Sequence, residues 1–391
     1  MTHLLLMIIY LAFISLGLPD GLLGAAWPTM HLQINAPLSY AGYLNTLICV
    51  FTIVSSLLCD RITRRIGTGK FTAVSVTLTA AALWGFSMSD SYWQLLLWAI
   101  PYGLGAGGVD AALNNYVAIH YASRHMSWLH CMWGLGATVG PAIMSWALTG
   151  GLGWERGYAV VAVIQVLLTG ALVFSLPLWK PHPAGENKED KPSRPLTVRE
   201  TLALPGAKAL FITFFGYCGL ESTAGLWASS YLIAHSGFTP TEAAALAGLF
   251  YTGITVGRGV SGFVTMKLND TQMVRLGLSI IGVGLALMLL PLGKMGAQCG
   301  LVLVGSGCAP IYPCVVHGTP VRFGAERSQS IIGIQMACAY VGSCTMSPLF
   351  GIIANGVTPL LLPVFLCVML ALMVVMHERL VRTTNKQAAN T

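Results

Sequence analysis

The sequence predicts an all-α membrane protein, with twelve transmembrane helices in two pseudo-symmetric six-helix bundles and both termini cytoplasmic. Three observations lead there. First, Asp, Glu, Lys and Arg make up only 9% of the 391 residues, and hydrophobic residues make up 55%. Soluble domains carry about 25% charge, and a mean hydropathy of +0.71 points the same way. Second, the apolar residues collect into twelve runs of the ~20 residues needed to cross a bilayer. Third, with alternate loops taken as cytoplasmic, 18 of the 21 Lys and Arg fall on one side. Arg156 and Lys294 fall on the other, and Arg258 lies inside a run. Basic residues gather on the cytoplasmic side of membrane proteins, and one missed helix would scramble this split.

The runs occupy 4–27, 39–59, 71–89, 92–117, 127–149 and 157–179 in the first half. Those of the second half are 208–233, 243–266, 274–292, 297–317, 329–353 and 358–377. The chain begins Met1-Thr2-His3-Leu4, without the basic stretch of a cleavable signal peptide, so the first run is expected to be retained. Near its end, Pro19-Asp20-Gly21 is a point where a loosened helix would let water reach a carboxylate. The fourth run carries the glycine-rich stretch 103–108 and the tenth carries Pro310 and Pro313. Membrane helices tolerate such residues and use them for close packing or local breaks. Between the sixth and seventh runs lies the one long polar stretch, Lys180 to Ala207, whose Pro-rich, mixed-charge composition reads as a flexible cytoplasmic linker. It divides the chain into an N-terminal bundle (1–179), a linker (180–207) and a C-terminal bundle (208–391) that ends in a short polar tail, Thr383–Thr391.

Several chemistries leave no trace. There is no GxxxxGK[ST] loop for a nucleotide, no HExxH or other zinc-spaced ligand set, and no GxSxG nucleophile elbow. The expectation is therefore a protein that is not an enzyme and has no cofactor and no metal. The ten cysteines form no CxxC pair and read as small buried apolar residues. The net charge of +7 is spread between apolar runs, so it speaks of membrane orientation and not of nucleic acid.

The end of the second run reads Ser56-Leu57-Leu58-Cys59-Asp60-Arg61-Ile62-Thr63-Arg64-Arg65-Ile66-Gly67. It resembles the GxxxDRxGRR loop signature of the major facilitator superfamily, with Ser56 and Thr63 standing where that signature has glycine. A weaker copy ends the eighth run, Gly257 to Lys267, where Gly262 aligns with Ser56 but Met266 takes the place of the acid. The segments Gly17-Leu18-Pro19-Asp20-Gly21, Gly107 to Asn115, Trp128 to Gly134 and Ala309-Pro310-Ile311-Tyr312-Pro313 are similar to the fucose-permease-like branch of sugar:proton symporters. The resemblance implies rocking of two bundles about a site near the membrane midplane. It also implies proton coupling by acids in the first and fourth spans, positions held here by Asp20 and Asp110. The branch has Glu at the second of these. The fifth run, Gly136 to Ser145, matches the first half of the GxxxGPxxGG motif of drug–proton antiporters and lacks its closing glycines. Proton-driven export of drugs or metabolites therefore stays open as the alternative to sugar uptake.

Of the charged residues only Asp20, Asp110, Glu221 and Arg258 lie well within runs. An ionised side chain at the bilayer centre costs on the order of 3 kcal/mol or more, so such groups usually line a wet cavity and carry function. Asp20, Asp110 and Glu221 are the proton-coupling candidates. Asn114, one turn after Asp110, puts an amide on the same helix face. Glu221 begins a stripe with Trp227 and Tyr231 nearby, where a carboxylate beside rings suits a sugar, although the same aromatics also mark membrane borders. With Asn45, His130 and Gln335 these are the substrate-binding candidates; for His130 a relay, a gate and a satisfied helix-end histidine all fit. Asp60, Arg61, Arg64, Arg65 and Arg258 are expected at a cytoplasmic gate, Arg258 either snorkelling to the headgroups or paired with an acid. The expected partners are a sugar-like small molecule, a coupling proton and the lipid bilayer, for a monomer in a bacterial inner membrane.

Overall fold

In the computed structural model, residues 2–37, 40–179 and 195–388 are described, and among them the chain is helical with no strand. Among the described residues, fourteen of the fifteen α-helices build twelve long runs, two of them made of two helices each, and one short helix stands apart. The first run is α1 (Thr2–Gly17) and α2 (Leu22–Gln33), broken over Leu18 to Gly21. Pro19 has no amide hydrogen to donate, so the ladder lapses there. Then follow α3 (Tyr40–Ile66), α4 (Thr68–Ser87), α5 (Tyr92–His120), α6 (Ser123–Thr149) and α7 (Gly153–Phe174). After a short amphipathic α8 (Val198–Ala203) come α9 (Ala207–Ser236), α10 (Pro240–Val264) and α11 (Asp270–Leu289). The tenth run is again broken, into α12 (Gly293–Cys308) and α13 (Ile311–Phe323), and α14 (Ala325–Gly356) and α15 (Leu362–Ala388) complete the chain.

Ten of the twelve runs hold an 18-residue stretch apolar enough to span a bilayer. The other two are α4 and α10. Beyond Lys70 in its first turn, the polar content of α4 is Ser and Thr, and Thr72, Thr77 and Thr79 donate back to backbone carbonyls at 2.7–2.9 Å, so their hydroxyls need no water.

Three boundaries differ from those expected. The basic end of the second run is helix, not loop, because α3 continues to Ile66; charge ends an apolar run without ending a helix. The tail is helical to Ala388. Residues 180–194 of the expected linker lie outside the described residues, but its last part folds. Thr197 caps α8 and Glu200 answers with a 2.8 Å bond from the Thr197 amide, a capping box.

The chain divides into two compact units. Unit 1 comprises Met1–Tyr116, Leu129–Pro195 and Ala325–Ala337, and unit 2 comprises Val117–Trp128, Leu196–Gly324 and Cys338–Thr391. The core of unit 1 gathers Trp27, Phe86, Tyr102, Trp154 and Tyr158. Its α1 and α6 meet backbone to backbone: a side chain at Gly17, Gly136 or Gly140 would run into the main chain of Trp133, Ile14 or Leu18. In unit 2, α11 and α12 meet in the same way through Gly277, Gly284, Gly300 and Gly307.

Candidate functional site

The break between α1 and α2 places Asp20 midway along the first run, exposed at the helix break and held by Trp133, whose indole N–H donates to Oδ2 at 2.7 Å. Asp110, 6% exposed on α5, lies near enough to interact with Asp20 electrostatically. The Asn114 amide donates to Asp110 Oδ1 at 2.7 Å and to the Asp110 carbonyl at 2.9 Å. Asn114 Oδ1 in turn lies 3.0 Å from His130 Nε2. With the amide NH2 committed to Asp110, His130 must be the donor at Nε2. Phe13 packs edge-on against the imidazole, 5.3 Å between ring centres. A cavity of about 10 Å³ in unit 1 is lined by Ser15, Pro19, Thr79, Tyr102, Val109 and Gln165. Asp20, Asp110, Asn114 and His130 thus form one polar group in unit 1. Asn45 is exposed near the start of α3 and does not belong to this chain of bonds; Gln335 is fully buried on α14.

A second group surrounds the basic end of α3. Asp60, 3% exposed, accepts from Arg64 Nε at 2.7 Å and from the Ser330 hydroxyl. Arg64 Nη2 reaches the Glu326 carbonyl at 2.7 Å, Ser328 donates to Asn115 Oδ1 at 2.6 Å, and Gln329 Nε2 sits 3.3 Å from Cys59 Sγ. Asp60 and Arg64 are therefore fixed onto residues 325–330, whereas Arg61 and Arg65 are exposed.

Arg258 is not part of that group. It is 2% exposed within unit 2, with Nη2 3.6 Å from Glu221 Oε2, the pairing with an acid from another helix and not the snorkelled state. A buried guanidinium cannot shed its charge, so it must find an anion. Tyr217, fully buried one turn before Glu221, donates its hydroxyl to the same carboxylate oxygen. Trp227 is partly buried, its N–H donating to the Ser347 carbonyl at 3.0 Å and its ring against Phe350. Tyr231 is 1% exposed and donates to the Met288 carbonyl at 2.9 Å. Both aromatics are thus built into helix packing, Tyr231 fully buried and Trp227 partly so.

Sequence reasoning missed several partners. Trp133 stood inside a motif already singled out, and Tyr217 lies at i−4 from Glu221, a spacing that pairs side chains on a helix. Asp270 is the first residue of α11, whose N-cap is Asn269. In the structure it accepts from the Ser123 hydroxyl and lies 2.7 Å from His317 Nδ1, while His317 Nε2 reaches the Tyr121 carbonyl at 3.1 Å. Ser330 and Gln329 carry no local signal at all; only the fold brings them to Asp60 and Cys59.

Twelve helical runs, two of them broken, with buried acids paired across helices, are the build of a polytopic solute transporter. Residues 9–347 match the profile of the Major Facilitator Superfamily, and the chain belongs to that superfamily of transporters, which are not enzymes. The yeast (Saccharomyces cerevisiae) Bypass of stop codon protein 6 is 24% identical over 288 residues, 66% of this chain and 56% of its own length. The match thus spans little more than half of that relative. The Bacillus subtilis glucose/mannose transporter GlcP is 23% identical over 298 residues, 74% of this chain and 72% of its own. Among solved structures, the E. coli fucose:proton symporter FucP has the same fold, with a TM-score of 0.77 at 14% identity over 96% of this chain and 97% of that one.

Proposed function

We propose that this protein is a secondary active transporter of a bacterial plasma membrane that takes up a sugar or related small polar solute together with a proton. It works by alternating access between an N-terminal bundle (1–179) and a C-terminal bundle (208–391), with both termini cytoplasmic, an orientation supported by the distribution of basic residues. The observation that carries the reading is the Asp20 carboxylate, set at the break in the middle of a span and held by the Trp133 N–H. A carboxyl group so placed can take a proton from one side and return it to the other, and Asp110 with its Asn114–His130 chain is the second station. Ionised acids are costly within a span, which gives the protein a reason to load them with protons before it changes conformation. That GlcP carries glucose and mannose, and that FucP is a fucose:proton symporter, supports the sugar class.

The test is medium pH around de-energised cells overexpressing the protein, with sugars added one at a time. One sugar should alkalinise the medium, and Asp110→Asn should abolish that signal and uphill accumulation while leaving exchange. Silence across the panel would sink sugar symport and put proton-driven export first, to be followed by drug susceptibility.

A further inference from the structure

A groove of about 680 Å³ runs along the last turns of α15, with Pro205 of the link between α8 and α9 beside it. Its lining changes character along the helix. Val374 and Val375, 40% and 58% exposed, stand at one end, and Arg379, Arg382 and Lys386, all exposed, stand at the other. Val375, Arg379, Arg382 and Lys386 follow one another at spacings of four, three and four, so a single helix face passes from apolar to basic. The acid in the groove, Glu378, is already engaged, since Arg275 donates to its two oxygens at 2.7 and 2.8 Å. Among the described residues no acid forms an ion pair with Arg379, Arg382 or Lys386. The Thr383 hydroxyl donates to the Arg379 carbonyl at 2.8 Å, which leaves the three basic side chains as the donors the groove offers.

The neighbouring α8 is inside out for a helix that meets only water. Thr201 is fully buried, while Val198 and Leu202, one turn apart on one face, are 48% and 37% exposed. The link that follows α8 packs on α15, where a side chain at Gly206 would meet Leu380 and Thr384. Apolar residues turned outward are what a helix lying in the membrane interface presents. We infer that the groove seats an anionic phospholipid, its phosphodiester held by Arg379, Arg382 and Lys386 and its acyl chains lying against Val374 and Val375. A free phosphate would use the basic end and leave the valines without a partner. A zwitterionic lipid would cover the valines but bring its own cation against the arginines. Under the orientation proposed above, this end of α15 lies in the cytoplasmic leaflet, where basic clusters beside a spanning helix meet anionic headgroups. The choice of ligand does not depend on that orientation, because it follows from the order of apolar and basic residues along the groove.

The experiment is native mass spectrometry of the full-length protein in detergent, titrated with phosphatidylglycerol, phosphatidylcholine or inorganic phosphate. The wild type should hold phosphatidylglycerol about tenfold or more tightly than phosphatidylcholine, the preference expected when two or three basic groups meet one phosphodiester. Arg379→Gln/Arg382→Gln should lose that preference. Lys70→Gln/Lys267→Gln, which removes the same charge from exposed positions elsewhere, should keep it. All four side chains are exposed, so both variants should melt as the wild type does without lipid. If Arg379→Gln/Arg382→Gln melts early, Arg382→Gln alone should still cut the preference severalfold. An unchanged preference in Arg379→Gln/Arg382→Gln, or an equal loss in both double variants, overturns the inference. So does displacement of phosphatidylglycerol by an equal concentration of inorganic phosphate, which would make the groove a site for the free anion. Each of these results leaves the sugar–proton reading to its own test.

Discussion

At Asn114 the amide NH2 turns to Asp110 and the carbonyl turns to His130, so one fully buried side chain serves two groups that differ in charge. A leucine, of the same branched outline but larger volume, would serve neither. It would leave Asp110 Oδ1 and His130 Nε2 each short of a partner in a buried setting, a loss of about 1–3 kcal/mol. Asn114→Leu is therefore expected to lower stability by that amount, read from thermal unfolding of the detergent-solubilised protein. An unchanged melt would mean that the hydrogen-bond chain does not form. The sequence made half of this group visible, since an acid and an amide four apart on a helix share a face. It did not make visible that His130, sixteen residues on and in another helix, would close the chain, because that depends on how α5 and α6 pack.

Helix packing is where the glycines act. Gly17 on α1 and Gly136 and Gly140 on α6 let two main chains touch, and that contact holds Trp133 close enough to reach Asp20. Overpacking a close contact usually costs about 1–3 kcal/mol, and here the obstruction is backbone, which cannot rotate away. Gly136→Ala should reduce the yield of folded protein and slow the proposed uptake, whereas Gly170→Ala, with open space around it, should do neither. Fluorescence-detected size exclusion on the two variants checks this, and equal elution profiles would refute it. The interruption between α1 and α2 was legible from Pro19 and Gly21, because proline removes a donor whatever the context. The reach of α3 to Ile66 was not, since apolar length reports the bilayer and not the helix. The fold of α8 was legible in principle from Thr197-x-x-Glu200 and was hidden by the proline-rich composition around it.

The two compact units are not the two halves of the chain. Unit 1 holds Ala325–Ala337, the start of α14, and unit 2 holds Val117–Trp128, the link between α5 and α6. Both segments are held by the same device. In unit 1 an acid, Asp60, accepts from Ser330 of the held segment, and the acid's basic partner Arg64 reaches a backbone carbonyl there, that of Glu326. In unit 2 the acid is Asp270, the serine is Ser123, the basic partner is His317 and the carbonyl is that of Tyr121. The repeat in sequence looked broken because Met266 stands at the expected acid; the acid has moved four residues on, to the first turn of α11. A comparison by alignment misses such a shift because the device depends on where a carboxylate ends up and not on its register. Alternating access requires each held segment to come free, and two buried thiols report on that event. Cys59 Sγ lies 3.3 Å from Gln329 Nε2, and Cys314 Sγ lies 3.9 Å from the Ser123 hydroxyl; both cysteines are free. Asp60→Asn weakens charge-assisted bonds worth about 1.5–3 kcal/mol, so modification of Cys59 by N-ethylmaleimide should quicken about tenfold or more. Asp270→Asn should do the same for Cys314. Peptide mapping by mass spectrometry follows each site separately. If each variant speeds only its own cysteine, the segments are released one at a time; if either speeds both, release is concerted and the two devices are one gate. Rates unchanged at both sites would show that Asp60 and Asp270 do not hold these segments.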